Sequence, residues 1–255
     1  MNYFRASAKS LRMANMTGRV LVLVLAPFVP WSFQMAAIAF GMYLFYYMFA
    51  SQIMLHKYYS HKVFEFRFKI VKYLFDFIVL SSLRGSPLGW TYVHRQHHRF
   101  ADTLEDPHTI YYDEHWNMFQ MNDVNNTSEK ISPFVVRDLL TSYDKRLNEY
   151  YWLYSLIVPI ILLAISLQAF YFFWLLPIIL FQFITNYSVR LAHLENVFTY
   201  TNFKDKDKSV NNPILFPFIL GECWHNNHHH NPKELHTGGK HWWEFDPSYY
   251  IIKLL

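Results

Sequence analysis

Histidines dominate the chemistry that this sequence can perform, because 14 of them occur among 255 residues and most lie in three short clusters. The clusters read HKYYSH, HRQHH and HNNHHH, and one further histidine, His193, stands apart from them. Neutral imidazole is the commonest metal ligand in proteins, so clusters of this density indicate metal binding. One such cluster on a solvated helix can arise by chance, and the prediction therefore depends on the three clusters lying together.

Spacing within the clusters indicates which rings share a face. Positions i, i+3 and i+4 of an α-helix lie on one side. Two triplets have this spacing: His94, His97 and His98, and His225, His228 and His229. His230 lies roughly 140° around the helix from His225, so we predict that it is not a ligand. His56 and His61 are five positions apart and cannot share a face of a regular α-helix, so they either flank a helix end or serve different ions.

Nine histidines are ligand candidates on this reasoning. They are His56, His61, His94, His97, His98, His193, His225, His228 and His229. The others are predicted to be structural or surface residues: His108, His115, His230, His236 and His241. A structural zinc site takes four ligands, so nine suit two ions with coordination positions left open. Imidazole binds zinc, copper, iron and nickel alike, and the ligand type leaves the metal undecided.

Acidic residues lie beside two of the clusters. A metal-bound histidine usually donates its second ring N–H to a carboxylate or a carbonyl. Asp102 and Asp106 follow HRQHH, and Glu222 precedes HNNHH, so we expect these three carboxylates to accept such hydrogen bonds. Helix capping or exposure to solvent would explain each of them nearly as well.

The elements that must position the histidines are those of a membrane protein. Hydrophobic residues make up 53% of the chain and charged residues only 16%, against a usual charged share of about 25%. Residues 20–55 and 151–189 carry no charge, and each is long enough for two helices of about 20 residues. We therefore predict an all-α integral membrane protein with four transmembrane helices in two hairpins, at about 11–55 and 151–190. The hairpin turns are expected at 30–32 and 166–168.

Charge predicts how these hairpins are oriented. Residues 1–19 carry four basic side chains and no acidic one, whereas both hairpin turns are uncharged. By the positive-inside rule both termini face the cytoplasm. The chain is then one domain, 1–255, whose histidines all lie in a helical cytoplasmic cap formed by 56–150 and 191–255. The charge-free stretches hold no histidine, which argues against a metal transporter.

The segments between the hairpins allow three further predictions. Lys69, Lys72 and Asp76 fall on one stripe of the apolar segment 66–80, which favours a helix lying on the membrane. The alternative is a fifth span, which would separate His56 from His94. Residues 116–148 are expected to form a polar loop and then an amphipathic helix, and residues 199–212 an exposed loop.

Composition also excludes several classes of protein. The single cysteine, Cys223, rules out an intramolecular disulfide and a cysteine-based zinc site. The net charge of +4 is consistent with a surface on anionic lipid. It is not concentrated in a basic helix or arm, so nucleic acid is not an expected partner.

Longer stretches around the clusters resemble one known family. HKYYSH, HRQHHRFADTLEDPH and WHNNHH are similar to the histidine boxes of the membrane-bound fatty acyl desaturases, in particular those that act at or near carbon 9. RGSPLGWTYVHRQHHRFADTLEDPH and GECWHNNHHHNPKELHTGGKHWWEFDPSYY are similar to this family over their whole length. The resemblance implies a four-helix membrane anchor under a cytoplasmic cap with two irons. The family's nine histidine ligands map onto the nine candidates.

The same resemblance assigns further residues and shows two departures. Trp90 and Thr185 match positions that shape the bend of the substrate tunnel. Val189 stands where animal members have an asparagine that holds an iron-bound water. Tyr92-Val93 stands where acyl-CoA members have Arg-Asp. An acyl chain linked to a lipid or a carrier protein is therefore an alternative to acyl-CoA.

The activity implied by the resemblance is O₂-dependent insertion of a cis double bond, at Δ9, into a saturated acyl chain. An unactivated methylene has no acidic proton, so acid–base chemistry cannot remove its hydrogens and a cofactor must supply the oxidising power. The sequence has no haem or flavin motif, so we expect a separate cytochrome b5-like protein or ferredoxin as electron donor. The alternatives are a di-iron membrane hydroxylase or ketolase, and a membrane metal-binding protein without activity. A bacterial-type inner membrane is favoured over the endoplasmic reticulum.

Overall fold

Helices form nearly all the regular structure of the chain. The computed structural model describes residues 5–111 and 131–255. Within these ranges the sole extended pairings are two isolated β-bridges, which join Tyr200 to Asn211 and Asn211 to Trp224. The all-α prediction is thus confirmed for the described residues. His115 and most of the polar loop predicted at 116–148 lie outside them.

Two helices occupy the segment predicted as the first hairpin. Helix α1 (Ala8–Leu25) continues as a 3₁₀ turn (Ala26–Phe28), and helix α2 (Phe33–His61) follows a connection that includes the predicted turn at 30–32. Ser32 caps α2, because its side chain accepts a hydrogen bond from the Met35 N–H. Such a cap satisfies an N–H group that the first turn of a helix leaves without a partner.

Helix α2 changes its winding where it reaches the histidines. It is α-helical to Tyr46 and π-helical from Tyr47 to His61. In a π-helix each N–H bonds to the carbonyl five residues earlier, so residues five apart lie above one another. The prediction that His56 and His61 cannot share a face is wrong, because it assumed a regular α-helix. Lys62 ends the helix with a left-handed backbone, at φ 53°.

The second hairpin is less regular than predicted. Helices α5 (Ser142–Glu149), α6 (Tyr151–Ser155) and α7 (Ile157–Ile165) lead to the turn at Ser166, which caps α8 (Leu167–Leu191). The turn lies where it was predicted.

Three helices in the described ranges are long and apolar enough to cross a membrane: Ala8–Phe28, Phe33–His61 and Leu167–Leu191. A fourth span requires that α5 and the stretch Tyr151–Ile165, which meet at 73°, count as one.

Helix α3 (Lys69–Ser81) corresponds to the predicted membrane-surface helix. With 13 residues it is about 20 Å long, which is short of the roughly 30 Å of a bilayer core. It is not among the helices that are long and apolar enough to cross a membrane. Asp76 is buried and accepts a hydrogen bond from Lys72, whereas Ile70 and Leu74 are exposed. The apolar face that points away from the protein suits contact with lipid.

The remaining helices surround the histidines. They are α4 (Pro87–Phe100), α9 (Pro213–Cys223), α10 (His225–His230) and α11 (Pro247–Ile252). Ser86 caps α4 and Pro87 occupies its first position, where a missing N–H costs nothing. Helix α10 ends two residues before Pro232, as its sequence predicts.

The loop at 199–212 differs from its prediction at its end. Its last four residues, 209–212, are buried rather than exposed. Asn211 holds this end in place, because its backbone pairs with Tyr200 and its side chain bonds to Asn227 at 3.0 Å. The sequence pattern missed this because five consecutive charged residues, 204–208, precede a segment that is held by side-chain amides.

Candidate metal centre

Five of the nine predicted histidines form one group, called cluster A: His56, His61, His94, His98 and His228. Their Nε2 atoms face one another. The distances are 2.9 Å between His56 and His228 and 2.9 Å between His61 and His94. Two nitrogens that bind one metal at about 2.1 Å and at right angles lie about 3.0 Å apart. Cluster A therefore has the spacing of a ligand set, and the π-helical end of α2 supplies two of its members.

The other four histidines form a second group, called cluster B: His97, His193, His225 and His229. The Nε2 atoms of His193 and His225 are 3.0 Å apart. Those of His97 and His229 are buried and make no hydrogen bond within the described part of the chain. A buried polar atom without a partner requires an explanation, and a metal ion at the centre of the cluster provides it. The nine candidates thus divide five and four between two groups.

Three carboxylates hold rings of these clusters from behind. The Nδ1–H of His56 donates to Glu222 at 2.8 Å, that of His97 to Asp106 at 2.9 Å, and that of His193 to Asp102 at 3.0 Å. A proton held on Nδ1 leaves the lone pair of Nε2 directed at the cluster centre. All three carboxylates thus contact candidate rings, but only Asp106 bonds to a ring of the box beside it, whereas Asp102 and Glu222 bond to rings that are distant in sequence.

The charge states in the centre suit a cation. Burial alone would raise the pKa of Asp102 and Asp106, but the hydrogen bonds from His193 and His97 outweigh it, and both pKa values are lowered. Burial, and then neighbouring imidazoles, lower the pKa of the cap histidines His94, His98, His225, His228 and His229. Neutral rings in front of ionised carboxylates form a donor set that fits a divalent metal.

A fourth carboxylate, Asp207, was not predicted. It accepts a hydrogen bond from the Nδ1–H of His229 at 2.9 Å. The loop that carries it is held by the two asparagines of the HNNHH box. The side-chain oxygen of Asn226 accepts the N–H of Phe203, and that of Asn227 accepts the side-chain amide of Asn202. The sequence signal for this contact is the pair of asparagines in a buried helix, because buried side-chain amides need hydrogen-bond partners.

Replacing Asp207 with asparagine is expected to weaken metal binding at cluster B by about 10- to 100-fold, because a carboxylate behind a ligand fixes the ring and raises its basicity. Asp205→Asn is the matched control, since Asp205 bonds to His230, which lies outside both clusters. Competition with a chelator on the purified protein measures both affinities. Equal losses in the two variants would contradict the assignment.

The histidines set aside by the sequence lie outside both clusters where the structure describes them. His230 is 43% exposed in its side chain and pairs with Asp205, as predicted for a residue that is not a ligand. His236 and His241 lie against aromatic rings. His108 is closer to the centre than expected, since its ring packs 5.1 Å from that of His97 and lines the cavity beside the clusters.

That cavity brings the two predicted tunnel residues beside the metal centre. Trp90 and Thr185 line it together with Val189. Trp90 stacks on the ring of His94, with 4.8 Å between centroids and 15° between planes. Asn186 is not a substitute for the asparagine that Val189 replaces, because its side-chain oxygen accepts a hydrogen bond from Arg84. The cavity includes ligand candidates of both clusters: His56, His94 and His225.

Comparison with known families agrees with this geometry. The family model for fatty acid desaturases matches residues 31–253. The chain belongs to the fatty acid desaturase family. Its members are oxidoreductases, and the match includes all nine clustered histidines.

Three curated relatives illustrate the range within this desaturase family. Palmitoyl-monogalactosyldiacylglycerol delta-7 desaturase of Arabidopsis thaliana is 30% identical over 92% of this chain. Acyl-CoA C20 Delta5-desaturase of Anemone leveillei is 29% identical over 91%. The sn-2 palmitoyl-lipid 9-desaturase of Nostoc is 27% identical over 98%. The alignments cover 63%, 75% and 89% of these relatives, so the chain spans less than two thirds of the first.

Proposed function

We propose that this desaturase family member inserts a cis double bond at carbon 9 of a saturated acyl chain, using O₂. The observation that carries the proposal is the pair of histidine clusters that face one cavity. Because His56 and His94 of cluster A and His225 of cluster B all line the cavity, a chain within it lies against both. Positioning one carbon pair against the reactive centre is the main contribution that a protein makes to such chemistry.

Two iron ions are the proposed metals, one for each cluster. Bound iron, together with O₂, supplies the oxidising power for removing hydrogen from an unactivated carbon. The overall reaction converts a –CH₂–CH₂– unit, O₂, two electrons and two protons into –CH=CH– and two molecules of water. The carboxylate partners of the rings hold the imidazoles in place.

Trp90 and Thr185 are proposed to set the bend of the acyl chain. The indole of Trp90 forms a flat wall against His94. The hydroxyl of Thr185 is occupied by a hydrogen bond to the Phe181 carbonyl at 2.6 Å. Its hydroxyl is thus not directed at the chain, which suits contact with an apolar substrate.

A lipid-linked acyl chain is the proposed substrate in preference to acyl-CoA. Val93 is buried, and with Tyr92 it gives the start of the HRQHH box no charge with which to meet a polyanionic headgroup. Among the relatives, the enzymes from Arabidopsis and Nostoc are named for lipid-linked substrates, and the Anemone enzyme for acyl-CoA. The uncharged pair Tyr92-Val93 therefore favours a lipid-linked substrate.

The proposal includes a place and a source of electrons. We propose four spans in a bacterial-type inner membrane, with both termini in the cytoplasm. The basic residues that begin at Arg5 support this orientation, and four spans require the bent pair of α5 and Tyr151–Ile165 to count as one beside the three long apolar helices. The two electrons are proposed to come from a cytochrome b5-like protein or a ferredoxin.

Expression in a host that lacks desaturases tests the function. We expect new monounsaturated chains with the double bond at carbon 9, located by mass spectrometry, and none from the His94→Ala variant. Hydroxylated chains without new unsaturation would replace the proposal with a hydroxylase. An unchanged lipid profile from iron-loaded protein with a supplied donor would overturn it.

A further inference from the structure

A short charged loop lies directly over cluster B. Residues 204–208 read Lys-Asp-Lys-Asp-Lys. Asp207 bonds to His229 at 2.9 Å, and the backbone N–H of Lys208 donates to Asp102, the partner of His193, at 2.6 Å. The loop therefore contacts the carboxylates behind two of the four rings of cluster B.

The acidic and basic residues of this loop have different surroundings. Asp205 and Asp207 accept hydrogen bonds from His230 and His229. The alternating residues Lys204 and Lys206 are exposed, and among the described residues neither makes an ion pair. These hydrogen bonds direct both carboxylates towards helix α10, and the exposed lysines carry their positive charge in contact with solvent. Lys240, also exposed, adds a further positive charge, since its Nζ lies 4.8 Å from the ring centre of Phe203.

Aromatic rings connect this surface with cluster B. Phe203 stacks on His230, with 3.6 Å between ring centroids and 5° between planes. His230 is partly exposed and is the neighbour of His229 along helix α10. A partner that touches Lys206 is separated from His229, a ring of cluster B, by one residue and one hydrogen bond.

Helix α4 lies between this surface and a contact with the membrane helix α8. Just before its first turn, Arg84 bonds to Gln182 of α8, whereas Asp102, beyond its last turn, meets the loop. In the proposed orientation the cap lies in the cytoplasm, where a water-soluble protein can reach the exposed lysines.

We propose that Lys204, Lys206 and Lys240, called the lysine face, dock an acidic one-electron carrier protein that reduces the metal centre through cluster B. This inference rests on the proposed function, whose reaction needs two electrons that the substrate and O₂ do not supply. Each docking oxidises one reduced carrier and delivers one electron, so two dockings serve one turnover. Complementary charge accelerates such encounters by about 10- to 1,000-fold and makes them sensitive to salt.

Binding to full-length protein in nanodiscs gives the first test. The probes are two acidic carriers, a plant-type [2Fe–2S] ferredoxin and the soluble domain of a cytochrome b5. We expect at least one to bind, more weakly as the salt concentration rises, and about tenfold more weakly to Lys204→Glu/Lys206→Glu. The neutral variant Lys204→Gln/Lys206→Gln is expected to lie between. The matched control is Lys145→Glu/Arg146→Glu, an exposed basic pair on α5 with the same change of charge.

Turnover separates this inference from the proposed function. When the metal centre is first reduced without oxygen by dithionite and methyl viologen, then freed of reductant and given O₂ for a single turnover, all variants are expected to make as much product as the wild type, because a small mediator needs no docking surface. With the reduced carrier, only the lysine-face variants are expected to slow. Equal binding and carrier-driven rates in both double variants, or no binding of either probe to the wild type, would overturn the docking surface. Failure of the mediator-driven wild type would instead overturn the proposed function, and the binding experiment still decides the inference.

Discussion

Replacing His229 with alanine is expected to abolish product formation and to lower the metal content of the purified protein by about one ion, whereas His230→Ala leaves both unchanged. The two residues are adjacent and both bond to an aspartate of the same loop. Only His229 belongs to cluster B, where its buried Nε2 has no protein partner in the described chain. Removing one of four donors leaves an incomplete site, since metal affinity depends on the number of ligands.

Elemental analysis and product analysis on the same preparations measure both effects. Alanine at either position removes one imidazole from a short helix, so the local change in helix α10 is similar and the pair controls for it. Equal loss of metal in the two variants would show that the division of this box into ligands and a bystander is wrong. Loss of product with full metal content in His229→Ala would place that ring in another role.

Which histidines of a box share a side of the helix was predictable, because the period of an α-helix is well defined. Positions i, i+3 and i+4 placed His94, His97 and His98 on one side, and α4 is a regular helix. The same period failed for His56 and His61. Nothing in HKYYSH distinguishes a π-helix from an α-helix, because the choice depends on contacts that α2 makes with distant segments.

The carboxylates that bond to the rings also divide into those that the sequence predicts and one that it does not. Asp102, Asp106 and Glu222 lie within a few residues of a histidine box and could be found as candidates by proximity, although only Asp106 bonds to a ring of that box. Asp207 could not, because its contact with His229 requires the whole loop to fold back on α10. The amides of Asn226 and Asn227 determine that fold through hydrogen bonds to residues more than 20 positions away.

The positions of the hairpin turns were predictable from the sequence, but the breaks between the helices of the second hairpin were not. Lack of charge marks both hairpins, and Ser32 and Ser166 begin helices at the expected turns. The 73° bend lies between α5 and the stretch Tyr151–Ile165, at the edge of the charge-free run. Hydropathy averages over a window, so it does not show whether the two segments form one straight helix.

One residue of the first histidine box that is not a histidine has a structural role, which spacing did not suggest. Lys57 follows His56 and is 2% exposed in its side chain, and it forms an ion pair with the fully buried Asp246 at 2.6 Å. Its Nζ also donates to the carbonyl of Leu235 and the hydroxyl of Ser248. These bonds fix the C-terminal segment of the cap to the π-helical end of α2, which supplies two rings of cluster A.

Replacing Lys57 with methionine is therefore expected to destabilise the protein by about 3–5 kcal/mol, because it leaves the buried carboxylate of Asp246 without its cation. Asp246→Asn, which leaves the ammonium unpaired instead, is expected to cost a similar amount. Unfolding of the detergent-solubilised protein, followed by thermal melting or by denaturant titration, measures the loss.

Lys62→Met provides the matched control, because Lys62 lies five residues further along and pairs with Asp138 at 2.9 Å on the surface, with side chains 41% and 31% exposed. An exposed pair contributes about 0–1 kcal/mol, so the control is expected to melt near the wild-type temperature. If Lys57→Met melted there too, the ion pair would not be what joins the C-terminal segment to α2. If both lysine variants were strongly destabilised, burial would not be the property that separates them. The Lys57 variant is expected to lose far more stability than the Lys62 variant, because the two ion pairs have similar lengths and differ in their exposure to solvent.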